Sequence, residues 1–132
     1  SLLDGHTKVR EISTGFPVIV PDQALLIIFK LKAVWDRSSR IKNRTSIDEE
    51  WDSSKLRKDR ADILALIDPE IRGREIDIRY LGEKLQEYPF LVELLREIPE
   101  DIDAINMYRR MSQENIRACI ENLLLLALED RR

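Results

Sequence analysis

The chain has 132 residues, 43% of them apolar and 36% charged, with a formal net charge of −3. That length fits one domain with a single core, and the charge is too small to imply a partner by itself. One cysteine (Cys119) and one histidine (His6) exclude an intrachain disulfide and a Cys-rich metal site, and argue against His/Cys zinc sites and histidine-dependent nucleophilic catalysis. Few aromatics and glycines beside many Leu, Ile, Arg and Glu predict a mostly helical protein with charged outer faces. The longest apolar run, Ala24 to Phe29, is far too short to cross a membrane, so no membrane partner is expected, and the free cysteine together with the absence of a signal-peptide pattern favours a cytoplasmic protein.

Residues 1–7 read as a loosely attached end. The opening Ser1-Leu2, without Met, reads as a cloning scar, so the chain is expected to be a fragment of something longer. Lys8 to Ser13 has weak strand character. Thr14-Gly15 signals a turn, and Phe16 to Val20 reads as a strand ended by Pro21. Two strands alone are marginal, so this ribbon either packs on helices or belongs to a larger sheet.

Asp22 is a good N-cap for a first helix. Leu25, Leu26, Ile28, Phe29, Leu31, Val34 and Trp35 cover nearly its whole circumference, which predicts a buried central helix. Lys30 is expected to reach water along its stem. Lys32, among more apolar neighbours, is expected to need a carboxylate. Residues 38–53 are polar: either the exposed end of this helix plus a loop, or a long functional loop pinned by Trp51.

A second helix is predicted from Ser53 or Ser54 to Ile67, with Lys58, Asp59 and Asp62 along one side. Further helices follow from about Asp77 to Glu87, from Pro89, from Pro99, and from an N-cap at Ser112. The last carries Ile116, Ile120, Leu123 and Leu124, broadened by Leu125, Leu126 and Leu128. It is expected to be core or to meet a second copy of the chain. The tail from Glu129 to Arg132 reads as solvated. The predicted fold is therefore α+β but mostly α: a ribbon over residues 1–21, then about six helices over 22–132 around one core.

The four glycines (5, 15, 73 and 82) are scattered, so no Gly-rich phosphate loop exists. Residues 37–60 hold eight cations: Arg37, Arg40, Lys42, Arg44, Lys55, Arg57, Lys58 and Arg60. They suit a phosphate backbone, or else form a solvated face balanced by Asp48, Glu49, Glu50 and Asp52.

Val18 to Asp22, Leu26 to Arg37 with its K-L-K-A-x-x-D-R run, and Lys58 to Leu66 with its K-D-x-x-D-I start together resemble the distal half of minimal prokaryotic nucleotidyltransferase-fold proteins of the AbiEii-toxin type. The likeness covers about a third of the chain. It implies a toxin–antitoxin setting, Mg²⁺ and an NTP for the complete protein, and a nucleotide, RNA or other acceptor as partner. It also implies catalytic roles for Lys58 and Asp59, with Lys32, Arg37 and Asp62 bordering the nucleotide or acceptor. The Gly-Ser motif and spaced aspartates that carry the metal in such proteins are absent, so this chain is expected to be inactive alone. Two alternatives stand beside this. Asp59 or Asp62 pairs with Lys32 or Arg37 only to lock two helices in register, or the chain is a nucleic-acid-binding or dimerisation module without catalysis.

Overall fold

The computed structural model describes residues 7–11 and 17–129. His6, the turn at Thr14-Gly15 and the tail residues 130–132 lie outside the described residues. Thr7–Glu11 (β1) and Pro17–Pro21 (β2) run antiparallel with Val9 opposite Ile19. The remaining chain is mostly helical, with six α-helices among the described residues: α1 (Gln23–Lys42), α2 (Glu49–Ile67), α3 (Ile78–Glu87), α4 (Phe90–Glu97), α5 (Ile102–Tyr108) and α6 (Gln113–Glu129).

The helix starts follow local chemistry. The side chains of Asp22, Asp48, Asp77 and Asp101 each accept the backbone N–H three residues on, and Ser112 does the same for Asn115. Each satisfies an N–H that a helix start leaves without an intrahelical partner. One start differs from expectation. α2 begins at Glu49, not at Ser53 or Ser54. Its first turn holds Glu49, Glu50 and Asp52, whose charges complement the positive end of the helix dipole. Ser38 to Lys42 belongs to α1, so the polar stretch is mostly helix and the link is only 43–48.

α1 and α2 form an antiparallel hairpin, and the other helices close over it. Leu25, Ile28 and Leu31 of α1 share one core with Ile63 and Leu64 of α2, Leu81 and Leu85 of α3, Leu91 and Leu95 of α4, and Ile116 and Ile120 of α6. α1 is not buried all round, however. Phe29 is 37% and Trp35 46% exposed. Trp35 instead lies against Phe90 at the start of α4, with ring centres 5.5 Å apart. Large apolar side chains on an outer face are common, because polar residues are too few to cover a small protein.

The tip of the hairpin is closed by a buried charge, not by Trp51, which is half exposed. Asp52 is 4% exposed. It accepts two hydrogen bonds from Arg40, Nε at 3.1 Å and Nη2 at 3.0 Å, and one from Ser46 Oγ at 2.6 Å. The fork-shaped guanidinium fits both carboxylate oxygens. Those bonds, Arg40 first and Ser46 second, hold the Asp52 carboxyl down at about 2 against an ordinary 3.8. A depressed folded-state value means that protons bind the unfolded chain more readily. Asp52 therefore adds stability that is complete above 3.8 and is lost as pH falls towards about 2. Urea midpoints measured downward from about pH 5 are expected to fall less steeply for Asp52→Asn than for the natural chain. Equal slopes would show that this carboxylate titrates as it does unfolded.

After α2 the chain turns on Asp68, which is 2% exposed. Its backbone carbonyl accepts the N–H groups of Ile71, Arg72 and Gly73. Its carboxylate accepts the Glu70 N–H and the Tyr108 hydroxyl. Burial, then the bond to Asp68, push the Tyr108 phenol well above its ordinary range. This knot joins the end of α2 to the end of α5.

Candidate functional site

Where two helices lie antiparallel, charges on their facing sides must pair or leave water unpaired. On α1 the residues facing α2 between the apolar layers are Lys30 and Arg37, seven apart and so nearly on one line. On α2 they are Asp59 and Asp62, three apart. Asp59 is 7% exposed and accepts from Arg37 Nη1 and, at 3.4 Å, from Lys30 Nζ. Asp62 accepts from Lys30 Nζ at 2.9 Å and from Lys58 Nζ at 3.0 Å. Burial raises the Asp62 carboxyl, but the bonds from Lys30 and Lys58 outweigh it and leave it below its ordinary value. The Lys30 ammonium is raised, chiefly by its bond to Asp62.

The fold thus brings together four of the five predicted residues: Arg37, Lys58, Asp59 and Asp62. The fifth, Lys32, stands apart. Its neighbours in the sequence predict a carboxylate partner, but its ammonium lies 4.6 Å from the centre of the Tyr88 ring, a cation–π contact on another side of α1. The place expected for Lys32 belongs to Lys30, which is held between two carboxylates and does not simply reach water. The reason is angular. Residues two apart on a helix point about 200° away from each other, so only one of the two lysines can face α2. Hydrophobic neighbours on both sides make them look alike in the sequence.

The network is layered by depth. Asp59 and Arg37 lie inside, with side chains 10% and 21% exposed. Lys30 and Asp62 are at the rim, and Lys58 is mostly exposed. Three cations face two carboxylates, which leaves one positive charge on the rim. Among the described residues no group of three or more His, Cys, Asp or Glu is placed to hold a metal ion. The oxygens of Asp59 and Asp62 are occupied by the cationic side chains of Arg37, Lys30 and Lys58.

The basic run of residues 37–60 is largely neutralised within the chain. Arg37, Arg40, Lys58 and Arg60 each meet a carboxylate at hydrogen-bond distance, and Arg57 approaches Asp103 at 3.8 Å. Among the described residues Lys42, Arg44 and Lys55 have no carboxylate partner. Lys55 lies over the Trp51 ring instead. Few of the eight cations are therefore free to follow a phosphate backbone.

No family model, curated protein or solved structure matches this chain. No described helix is long and apolar enough to cross a membrane.

Proposed function

We propose that residues 22–129 form the substrate-facing helical part of a nucleotidyltransferase-fold protein. Such a protein transfers a nucleotidyl group from an NTP to an RNA, protein or small-molecule acceptor. The observation that carries the reading is the gathering of Lys58, Asp59, Asp62 and Arg37, with Lys30, on one side of the α1–α2 hairpin. The K-L-K-A-x-x-D-R and K-D-x-x-D-I runs, which contain these same residues, agree with it. In this reading β1 and β2 are the last strands of a larger sheet that carries the metal-binding aspartates. Mg²⁺ belongs to those aspartates and not to Asp59 or Asp62.

The roles follow from depth. Lys58 and Lys30 supply positive charge at the rim, where a triphosphate gains most from fixed cations. Asp62 holds the two ammonium groups together on one carboxylate oxygen. Asp59 acts as a positioning residue, because Arg37 and Lys30 occupy its oxygens.

The test is thermal denaturation of the chain with each of the four Mg-NTPs. A rise in Tm with at least one is expected, and loss of that rise in Lys58→Met. Lys58 is exposed, and its pair with Asp62 contributes only ~0.2–0.5 kcal/mol, so the variant keeps its fold. No rise with any Mg-NTP at millimolar concentration, either in this chain or in a longer protein that restores the upstream strands, would sink the proposal. A second reading, a dimerisation module, is favoured by Leu125 and Leu126, both about half exposed on the outer side of α6. A mass that grows with concentration would support it.

A further inference from the structure

The outward line of α2 joins an exposed ring to a row of charges. Helical spacing places Lys55, Lys58 and Asp62, each one to three turns beyond Trp51, within about 40° of it around the axis. Trp51 is 52% exposed. The Lys55 ammonium lies 5.3 Å from its ring centre and the Arg37 guanidinium 5.9 Å. Lys58 stands about 10 Å further along the helix, with a side chain that is mostly exposed.

Positive charge is in excess on this line. Lys55 meets the ring and, among the described residues, no carboxylate. Lys58 shares one oxygen of Asp62 with Lys30. The other acids nearby are turned away or already engaged. Glu50 and Glu49 lie about 100° and 160° from Trp51 around the helix. The Asp48 carboxylate accepts the Trp51 backbone N–H, and Asp52 is buried against Arg40 and Ser46. A line of this kind is complementary to a ligand that joins negative charge to a flat aromatic group. A nucleic-acid duplex keeps its bases stacked inside, whereas a single strand offers phosphates and base faces together. Lys55 is long and is held over the ring by a contact that is weak at an exposed site. A phosphate that draws its ammonium aside uncovers the ring for a base.

We propose that the outer line of α2 binds single-stranded nucleic acid, with one base stacked on Trp51 and the adjoining phosphates on Lys55 and Lys58. Nucleotidyl transfer is not required for this binding. Trp51 and Lys55 lie outside the residues that carry that reading, and the test contains no nucleoside triphosphate.

The experiment is a low-salt titration of the chain with oligo(dT) and oligo(U) of about eight nucleotides. Anisotropy of labelled strands reads binding, and tryptophan fluorescence with unlabelled strands reads stacking. Saturable binding of at least one strand is expected, with quenching that survives in Trp35→Phe and vanishes in Trp51→Ala. Trp51→Ala is expected to weaken binding roughly tenfold, the effect of losing one stacked base. Its helix content is expected to hold, because alanine is a good helix former. Two phosphate contacts give a log–log salt slope of about −1.4, and Lys55→Met is expected to reduce it by about 0.7. A duplex of the same length is expected to bind more weakly.

Absence of saturable binding by both strands overturns the proposal. Binding that Trp51→Ala leaves unchanged also overturns it, because charge attraction alone would then account for the affinity. A duplex that binds as tightly as a single strand does the same. Ile47, fully exposed just before α2, suits a different partner. Sedimentation of the chain with phosphatidylserine vesicles, with neither strand bound, would assign this end of the hairpin to a membrane surface and overturn the proposal.

Discussion

Asp59→Ala is expected to destabilise the protein by about 3 kcal/mol, because it leaves the Arg37 guanidinium and the Lys30 ammonium beside a core with one carboxylate fewer. The cost comes from the charges left behind and not from the strength of the pair itself. Asp59→Asn is expected to cost less, since the amide oxygen still accepts one bond. A triple replacement of Lys30, Arg37 and Asp59 by leucine or methionine is expected to recover much of the loss, as replaced buried ion groups often do. Urea unfolding of the four proteins checks this. An Asp59→Ala variant within about 0.5 kcal/mol of the parent would mean that the hairpin does not depend on the pair, and Asp59 would return as a residue kept for chemistry. If the loss is large, absence of nucleotide binding in that variant says nothing about function. For that reason Lys58 is the informative residue for the nucleotidyltransferase reading.

Gly73→Ala is expected to cost about as much, roughly 3 kcal/mol, which is far above an ordinary exposed Gly→Ala change. A Cβ at this position would stand 2.2 Å from the carbonyl oxygen of Ile67 and 2.7 Å from its carbonyl carbon. Both are backbone atoms at the end of α2, and they cannot move aside as a side-chain tip would. Gly73 also donates its N–H to Asp68 O at 2.8 Å, so the clash falls on the same turn that gathers Ile71 and Arg72. Relief requires opening that turn and pulling Asp68 away from the Tyr108 hydroxyl. Thermal melting followed by tyrosine near-UV dichroism checks this. The expected result is a large fall in Tm together with a changed Tyr108 signal. An unchanged Tm would show that residues 69–76 shift freely and that the knot carries little stability.

Several helix boundaries are legible in the amino-acid sequence alone, because they rest on single residues with strong local preferences. Asp22 and Ser112 cap helices where expected, and Asp77 and Pro89 mark the starts of α3 and α4. Periodicity misplaces the start of α2 for a physical reason. The apolar pattern begins to show at Leu56, but the inward residue of the preceding turns is Asp52, a buried carboxylate where an apolar side chain is expected. Its partner Arg40 is twelve residues away on another helix, which no local pattern reveals. The signal that does place the start is Asp48 followed by Glu49 and Glu50, a cap with acids in the first turn. The exposure of two rings between α1 and α4 is likewise invisible in the sequence. Trp35 and Phe90 each read as core from their neighbours, and only packing leaves each of them more than a third uncovered.

The sequence by itself determined that this is a mostly helical chain, that Leu and Ile stripes build its core, and that Lys58, Asp59 and Asp62 share one side of a helix. Those properties depend on composition, periodicity and spacing within a few residues, and the backbone has few ways to honour them. Tertiary structure decided which lysine faces α2, that Asp59 is the inner carboxylate and Asp62 the outer, and that Asp52 closes the hairpin. Each of those depends on the rotation of one helix against another. That rotation is set by how all the buried side chains fit together, and no single stretch of the chain encodes it.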